Sequence, residues 1–212
     1  MINTTSVYQD AIRLLFILVN GSEEFSDESD FSIKGIFRGK ARLYAMDFWV
    51  RYPDYFANEL LQKYNELKEI RYLELAEKIF ENDEPDLRNV PMIRFLFGAY
   101  EKLDNTLAIL VSKGLIKQSG KKTNTNIHQL DFLLYDKAFE VISKANDEFP
   151  ILNWYQERTL LINEIAGTKG GASLKEKQYE QIEYAKTKLG GIIPSIKEDV
   201  QIELNRLKTN AK

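Results

Sequence analysis

The sequence predicts an α+β fold, mainly α-helical, with a winged helix-turn-helix core and additional C-terminal helices. Three observations predict it. Apolar residues recur at helical spacing in most segments. Between 101 and 144 the order is helix, Gly114-Leu115-Ile116, short strand, polar tip, strand, short helix. Hydrophobic residues make up 44% and aromatic residues 12% of the 212 positions, enough for a sizeable core. Residues 1–150 are expected to form a helical and winged-helix domain, and residues 151–212 a C-terminal helical arm.

The first helix covers Val7–Asn20, with Val7, Ala11, Leu14 and Leu18 on one face and Ile12, Phe16 and Val19 on a second. Asn20-Gly21 ends it as left-handed C-cap chemistry. Residues 22–32 hold Glu23, Glu24, Asp27, Glu28 and Asp30, and the sign then reverses to Lys34, Arg38, Lys40 and Arg42. This predicts a solvated loop and a basic lead-in to a helix, with a local phosphate or acidic-partner contact as the sharper alternative. Residues 39–56 form the central pillar. Leu43, Met46 and Val50 lie on one stripe and Tyr44, Phe48 and Tyr52 on the next, so the helix is expected to be surrounded, with Phe48 and Trp49 buried. Asp47 and Arg51 stand four apart and can pair. Tyr52-Pro53 stops this helix, and Pro53 can open the next.

Residues 54–64 and 67–81 are helical, as one long helix or two. Residues 82–91 carry Pro85 and Pro91 and form a loop and candidate hinge. A short strand at 92–97 breaks at Gly98-Ala99. The helix at 101–113 turns Leu103, Leu107, Leu110 and Val111 inward, and Gly114 permits a tight exit. Strands at 115–118 and 129–134 flank the polar tip 120–126, and a helix follows at 136–144 with Ala138, Val141 and Ile142 apolar. The helix at 154–165 ends before Gly167-Thr168-Lys169-Gly170-Gly171. Ser173 and Glu176 have capping-box spacing and open a helix at 174–189 with Ile182, Ala185 and Leu189 on one stripe. Pro194 opens 195–208, whose stripe is Ile196, Val200, Leu204 and Leu207. Stripes this narrow suit packing on one surface, as in a peripheral hairpin or partner-binding arm.

The totals bound the function. A net charge of −3 gives no global drive onto nucleic acid or an anionic membrane. The absence of cysteine removes disulfides, thiolate metal sites and Cys/His nucleophilic catalysis. His128, the one histidine, cannot build a histidine cluster and stands at the base of the hairpin. No apolar run approaches the roughly 18 residues of a membrane span. The apolar run at 11–19 is broken by Arg13 with no small-residue cleavage site after it, so a cytoplasmic setting is expected.

The glycine run 167–171 lacks the Gly-Lys-Ser/Thr of a phosphate loop and no strand precedes it, so a flexible joint is expected. Pro53-Asp54 with Glu66 and Lys68 mimics the order of a PD-(D/E)xK nuclease. That chemistry needs carboxylates converging on one metal from adjacent strands, and here both fall on helical patterns. No catalytic, metal-ligating or cofactor-binding residue is assigned, and no cofactor is expected. Lys117, Lys121 and Lys122, with Thr123, Asn124, Thr125 and Asn126, suit phosphate contacts. Glu101 and Asp104 stand at the start of the preceding helix, where base-reading side chains sit, and they repel phosphate. Weak non-specific DNA contact or a protein interface is therefore expected.

Two segments, 38–60 (RGKARLYAMDFWVRYPDYFANEL) and 94–116 (RFLFGAYEKLDNTLAILVSKGLI), carry a family resemblance. Arg38, Leu43, Asp47 and Phe48, then Arg51-Tyr52-Pro53-Asp54, then Arg94, Phe97-Gly98, Tyr100 and Lys113-Gly114-Leu115-Ile116 resemble the middle components of bacterial three-component ABC/SMC-type ATPase systems, which include Lamassu-type antiphage defence. The sequence departs from that pattern at Ala99-Tyr100, where a Pro-Trp pair is common. The resemblance implies a non-enzymatic winged-helix accessory subunit that bridges an SMC-like ATPase and an effector nuclease. On that reading Ile182, Leu189, Val200 and Leu204 would meet a partner, and Lys117, Lys121 and Lys122 would meet DNA. The alternatives are a stand-alone winged-helix DNA-binding regulator and, last, a divergent nuclease using Asp54, Glu66 and Lys68.

Overall fold

Helix α1 (Val7–Asn20) occupies the residues that its periodicity assigns to it, with Leu14, Phe16, Ile17 and Leu18 fully buried. The computed structural model describes residues 7–81, 93–95, 98–100, 103–122 and 127–211, with backbone alone at 93–95, 98–100, 121, 122, 127 and 128. The candidate hinge at 82–91 and tip residues 123–126 lie outside them.

The acidic segment and its basic successor are a strand pair. β1 (Glu23–Glu24) runs antiparallel to β2 (Ile33–Phe37), and Asp27 and Asp30 shape the connection by accepting from Ser29 and Ser32. The first part of the basic lead-in is thus a strand, with Ile33, Ile36 and Phe37 buried and Lys34 exposed, while Lys40 and Arg42 open the helix at 40–51 as expected. Its pairing partner lies about a hundred residues later in the chain, so local charge pattern does not reveal it.

Helix α2 (Lys40–Arg51) ends at Tyr52, and Pro53 opens α3 (Pro53–Leu67) at its first position, as the sequence predicts. Lys68 takes a left-handed φ of 59° and closes α3, so α4 (Arg71–Glu81) is a separate helix. β3 (Ile93–Phe95) pairs antiparallel with β4 (Gly98–Tyr100), so Gly98-Ala99 starts a second strand. α5 (Asp104–Ser112) buries Leu103, Leu107 and Leu110, whereas Val111, expected inward, is exposed. Gly114, at φ 65°, turns the chain into β5 (Ile116–Lys122). β5 and β6 (Ile127–Tyr135) form the expected hairpin, and the sheet order is β1-β2-β6-β5. α6 (Asp136–Glu148) follows.

After a 3-10 turn at Pro150–Leu152 come α7 (Asn153–Ala166), α8 (Gly171–Glu180), α9 (Ile182–Lys186) and α10 (Lys197–Asn210). The single helix expected at 174–189 breaks at the extended residue Gln181. The capping box does not form: Gly170 is the N-cap, which puts Ser173 inside the first turn.

One apolar core runs from Ala11 to Leu207 and draws on both sides of position 150. Its centre is aromatic. Phe48 stacks on Tyr52 at 4.8 Å and meets Tyr55 and Tyr184 edge-on at 5.0 and 5.3 Å. Phe48 and Trp49 are buried, as expected of the pillar. The C-terminal third supplies Ile162, Leu174, Tyr184, Ile193, Ile196, Val200, Leu204 and Leu207 to the same core, so it is an integral layer and not a separate arm. Each such side chain contributes about 1.5–3 kcal/mol on full burial. Among the described residues no helix is long and apolar enough to cross a membrane.

Candidate functional site

The buried polar groups of the pillar serve the fold. Arg13 Nε donates to Asp47 at 2.7 Å and Arg13 Nη1 to Asp10 at 2.6 Å, which joins α1 to α2. Asp54 is fully buried and accepts from Ser195 Oγ at 2.6 Å and the Ile196 amide at 2.8 Å, which pins the start of α10. Glu59 takes Lys177 Nζ at 2.9 Å, tying α3 to α8.

This geometry disposes of the nuclease-like order. Asp54 caps another helix, while Glu66 is exposed and paired with Lys63 at 3.0 Å. Both stand on α3, and twelve residues of helix separate them by about 18 Å. Among the described residues no group of three or more His, Cys, Asp or Glu side chains could hold a metal.

The hairpin is where the sequence places it. Lys117 is exposed on β5, and the backbones of Lys121 and Lys122 stand opposite Gln129 and Ile127 near the hairpin's outer end. Helix α5 packs on α1 and turns Asp104, Asn105, Ala108, Val111 and Ser112 outward. Asp104 is held by Lys40 at 2.6 Å. Glu101 lies outside the described residues.

The four expected partner contacts divide. Ile182 and Leu189 are exposed, at 57% and 61%. Val200 and Leu204 are 3% and 4% exposed, because the α10 stripe packs against α3 and α4. Both are core residues, and their assignment as partner contacts is corrected.

The structure also joins two motifs that sequence reasoning kept apart. The basic residues Arg38, Lys40 and Arg42 at the start of α2 face the glycine run 167–171 across an open cleft of about 990 Å³. Gly171 makes this approach possible: a Cβ there would lie 2.5 Å from both Ala41 Cβ and the Arg42 nitrogen. The last glycine of the run is therefore a close-packing element, within a segment expected to be a flexible joint. Each motif shows alone in the sequence, and only the tertiary fold supplies their adjacency.

No protein-family model matches the chain, and neither a curated protein nor a solved structure matches it.

Proposed function

We propose that this protein is a winged-helix accessory subunit, without activity of its own, that bridges an SMC-like coiled-coil ATPase and an effector nuclease in antiphage or antiplasmid defence. The strand order supports the winged-helix part. β2 follows α1, pairs with β6, and β6 pairs with β5, which leaves the end of α5. A winged helix has this arrangement: a strand after its first helix, and a hairpin after its recognition helix whose return strand lies between the other two.

One observation carries the accessory role, the outer face of α5. Among the described residues of the helix it presents Asp104, Asn105, Ala108, Val111 and Ser112, with no cation before Lys113 at its C-terminal end. A helix that enters the major groove passes between two lines of phosphates and normally brings Arg or Lys to base edges. A neutral and partly apolar face with an acid at its N-terminal end suits a protein surface instead. Exposed Ile182 and Leu189 give a second place for a partner, and the hairpin lysines a weak, sequence-independent DNA contact.

The test is affinity purification of the chain at native abundance, followed by mass spectrometry, with the neighbouring genes inspected. The expected result is stoichiometric recovery of a large coiled-coil ATPase and a nuclease encoded next door. The reading fails if no ATPase is recovered. Sequence-specific duplex binding that survives moderate salt would favour the stand-alone regulator, because phosphate contacts fade with counterion release whereas base contacts persist.

A further inference from the structure

We propose that the cleft between the N-terminal ends of α2 and α8 is a phosphate-binding site. The central observation is Arg42. The residue lines the cleft, yet it is only 9% exposed. Its guanidinium donates to the Lys169 carbonyl and, at 2.9 Å, to Asn163 Oδ1, both neutral acceptors. The ring of Phe37 lies 5.9 Å away. Among the described residues no carboxylate stands within ion-pair distance of Arg42. Burial pulls its pKa down, and Glu23, itself engaged by Arg38 at 3.0 Å, opposes this only through space. Buried charges are ordinarily paired with an opposite charge. Here the opposing charge would come from an anion in the cleft.

The surroundings favour the same occupant. Lys169, half-buried on the glycine run, also has no carboxylate within ion-pair distance among the described residues. Arg38 and Lys40 line the cleft too, and their pairs with Glu23 and Asp104 are solvent-exposed bridges that exchange at little cost. The other acid in the wall, Glu164, is engaged by Arg71. The starts of α2 and α8 meet at Gly171, so the positive ends of two helix dipoles add to the field.

Among the described residues the wall contains no aromatic side chain on which a nucleobase could stack. The recognised chemistry is the phosphate group itself. It can be carried by a small polyphosphate or by a nucleic-acid backbone. The second source is within reach, since Gln129 lines the cleft and stands opposite Lys121 in the hairpin.

This inference does not depend on the accessory role. The full chain is titrated with sodium tripolyphosphate and, separately, with a short fluorescein-labelled duplex of arbitrary sequence, at low and physiological salt. Calorimetry, anisotropy and thermal melting are the readouts. At least one probe is expected to bind and to raise the melting temperature. Lys169→Glu and Arg38→Glu are expected to weaken it by about tenfold each, the scale of one charge-assisted hydrogen bond. Arg42→Met is expected to abolish the ligand-induced rise. Tripolyphosphate binding assigns a small polyphosphate, and duplex binding alone assigns a backbone. The proposal is overturned if neither probe binds. It is overturned equally if binding survives all three substitutions, or is lost only on reversing Lys121 and Lys122. Recovery of the ATPase complex alongside any of those results would leave the accessory role standing and remove this site alone.

Discussion

Arg13 and Arg42 are both buried guanidiniums, and they are buried in opposite ways. Arg13 lies between two carboxylates, Asp10 and Asp47, and closes the seam between α1 and α2. Arg42 meets a carbonyl, an amide oxygen and an aromatic ring, and faces an open cleft. The first charge is neutralised inside the fold and stabilises it. The second is held in place by neutral groups, beside a cleft that Arg38, Lys40 and Lys169 also line. The difference separates a structural ion pair from a charge available for binding.

Substitution should reproduce that difference, and the largest effect belongs to Arg13. Arg13→Ala removes the cation between two buried acids and is expected to cost about 3–5 kcal/mol, read from urea unfolding at neutral pH. A loss comparable to that of a surface residue would remove the distinction. Asp54 is the intermediate case, a buried carboxylate that accepts from the Ser195 hydroxyl and the Tyr55 and Ile196 amides. Asp54→Ala is expected to cost about 2–3 kcal/mol, the scale of hydrogen bonds to a charged group, and to raise amide exchange across α10. Arg42→Met is expected to cost no more than about 1 kcal/mol in the absence of phosphate, because it leaves no acid unpaired. A loss as large as that of Arg13→Ala would make Arg42 structural after all.

The remaining effect is in the pH dependence of Glu59. Burial holds its carboxyl above the ordinary 4.5, with Lys177 opposing. The folded chain then keeps a proton that the unfolded chain releases, so stability falls as pH rises from about 4.5 through the folded value. Burial pulls Lys177 down, but Glu59, Glu66 and Glu180 together shift it upward, so its contribution is present below 10.5 and lost above it. Glu59→Gln is expected to flatten the acid-side slope in melts across that range. An unchanged slope would assign it to other carboxylates.

What was legible in the sequence follows from range. The limits of α1, the Tyr52-Pro53 break and the hairpin after Gly114 are written in neighbouring residues, and the structure repeats them. β2 was not legible, because Gly35 interrupts a five-residue strand and its pairing with β6 is distant. The narrow stripe of α10 signals one-sided packing, but the surface it meets, α3 and α4 of the same chain, is not written in neighbouring residues. The cleft was invisible for the same reason. It draws on residues 21–23, 38–42, 129–130 and 163–172, and no local window contains even two of those stretches.

The bond from the Ile196 amide to Asp54 spans 142 residues, and its consequence is temporal. During synthesis the aromatic pillar emerges long before the segment that covers it. Until Ile193, Ile196 and the α10 stripe arrive, Asp54 lacks its distant donors and the faces of α3 and α4 beneath α10 remain wet. Long-range closure of this kind slows folding and leaves apolar surface open in the interval. Pulse-labelled amide exchange during refolding should accordingly protect α3 and α10 in one late phase; early protection of α3 alone would show that the pillar consolidates without its cover.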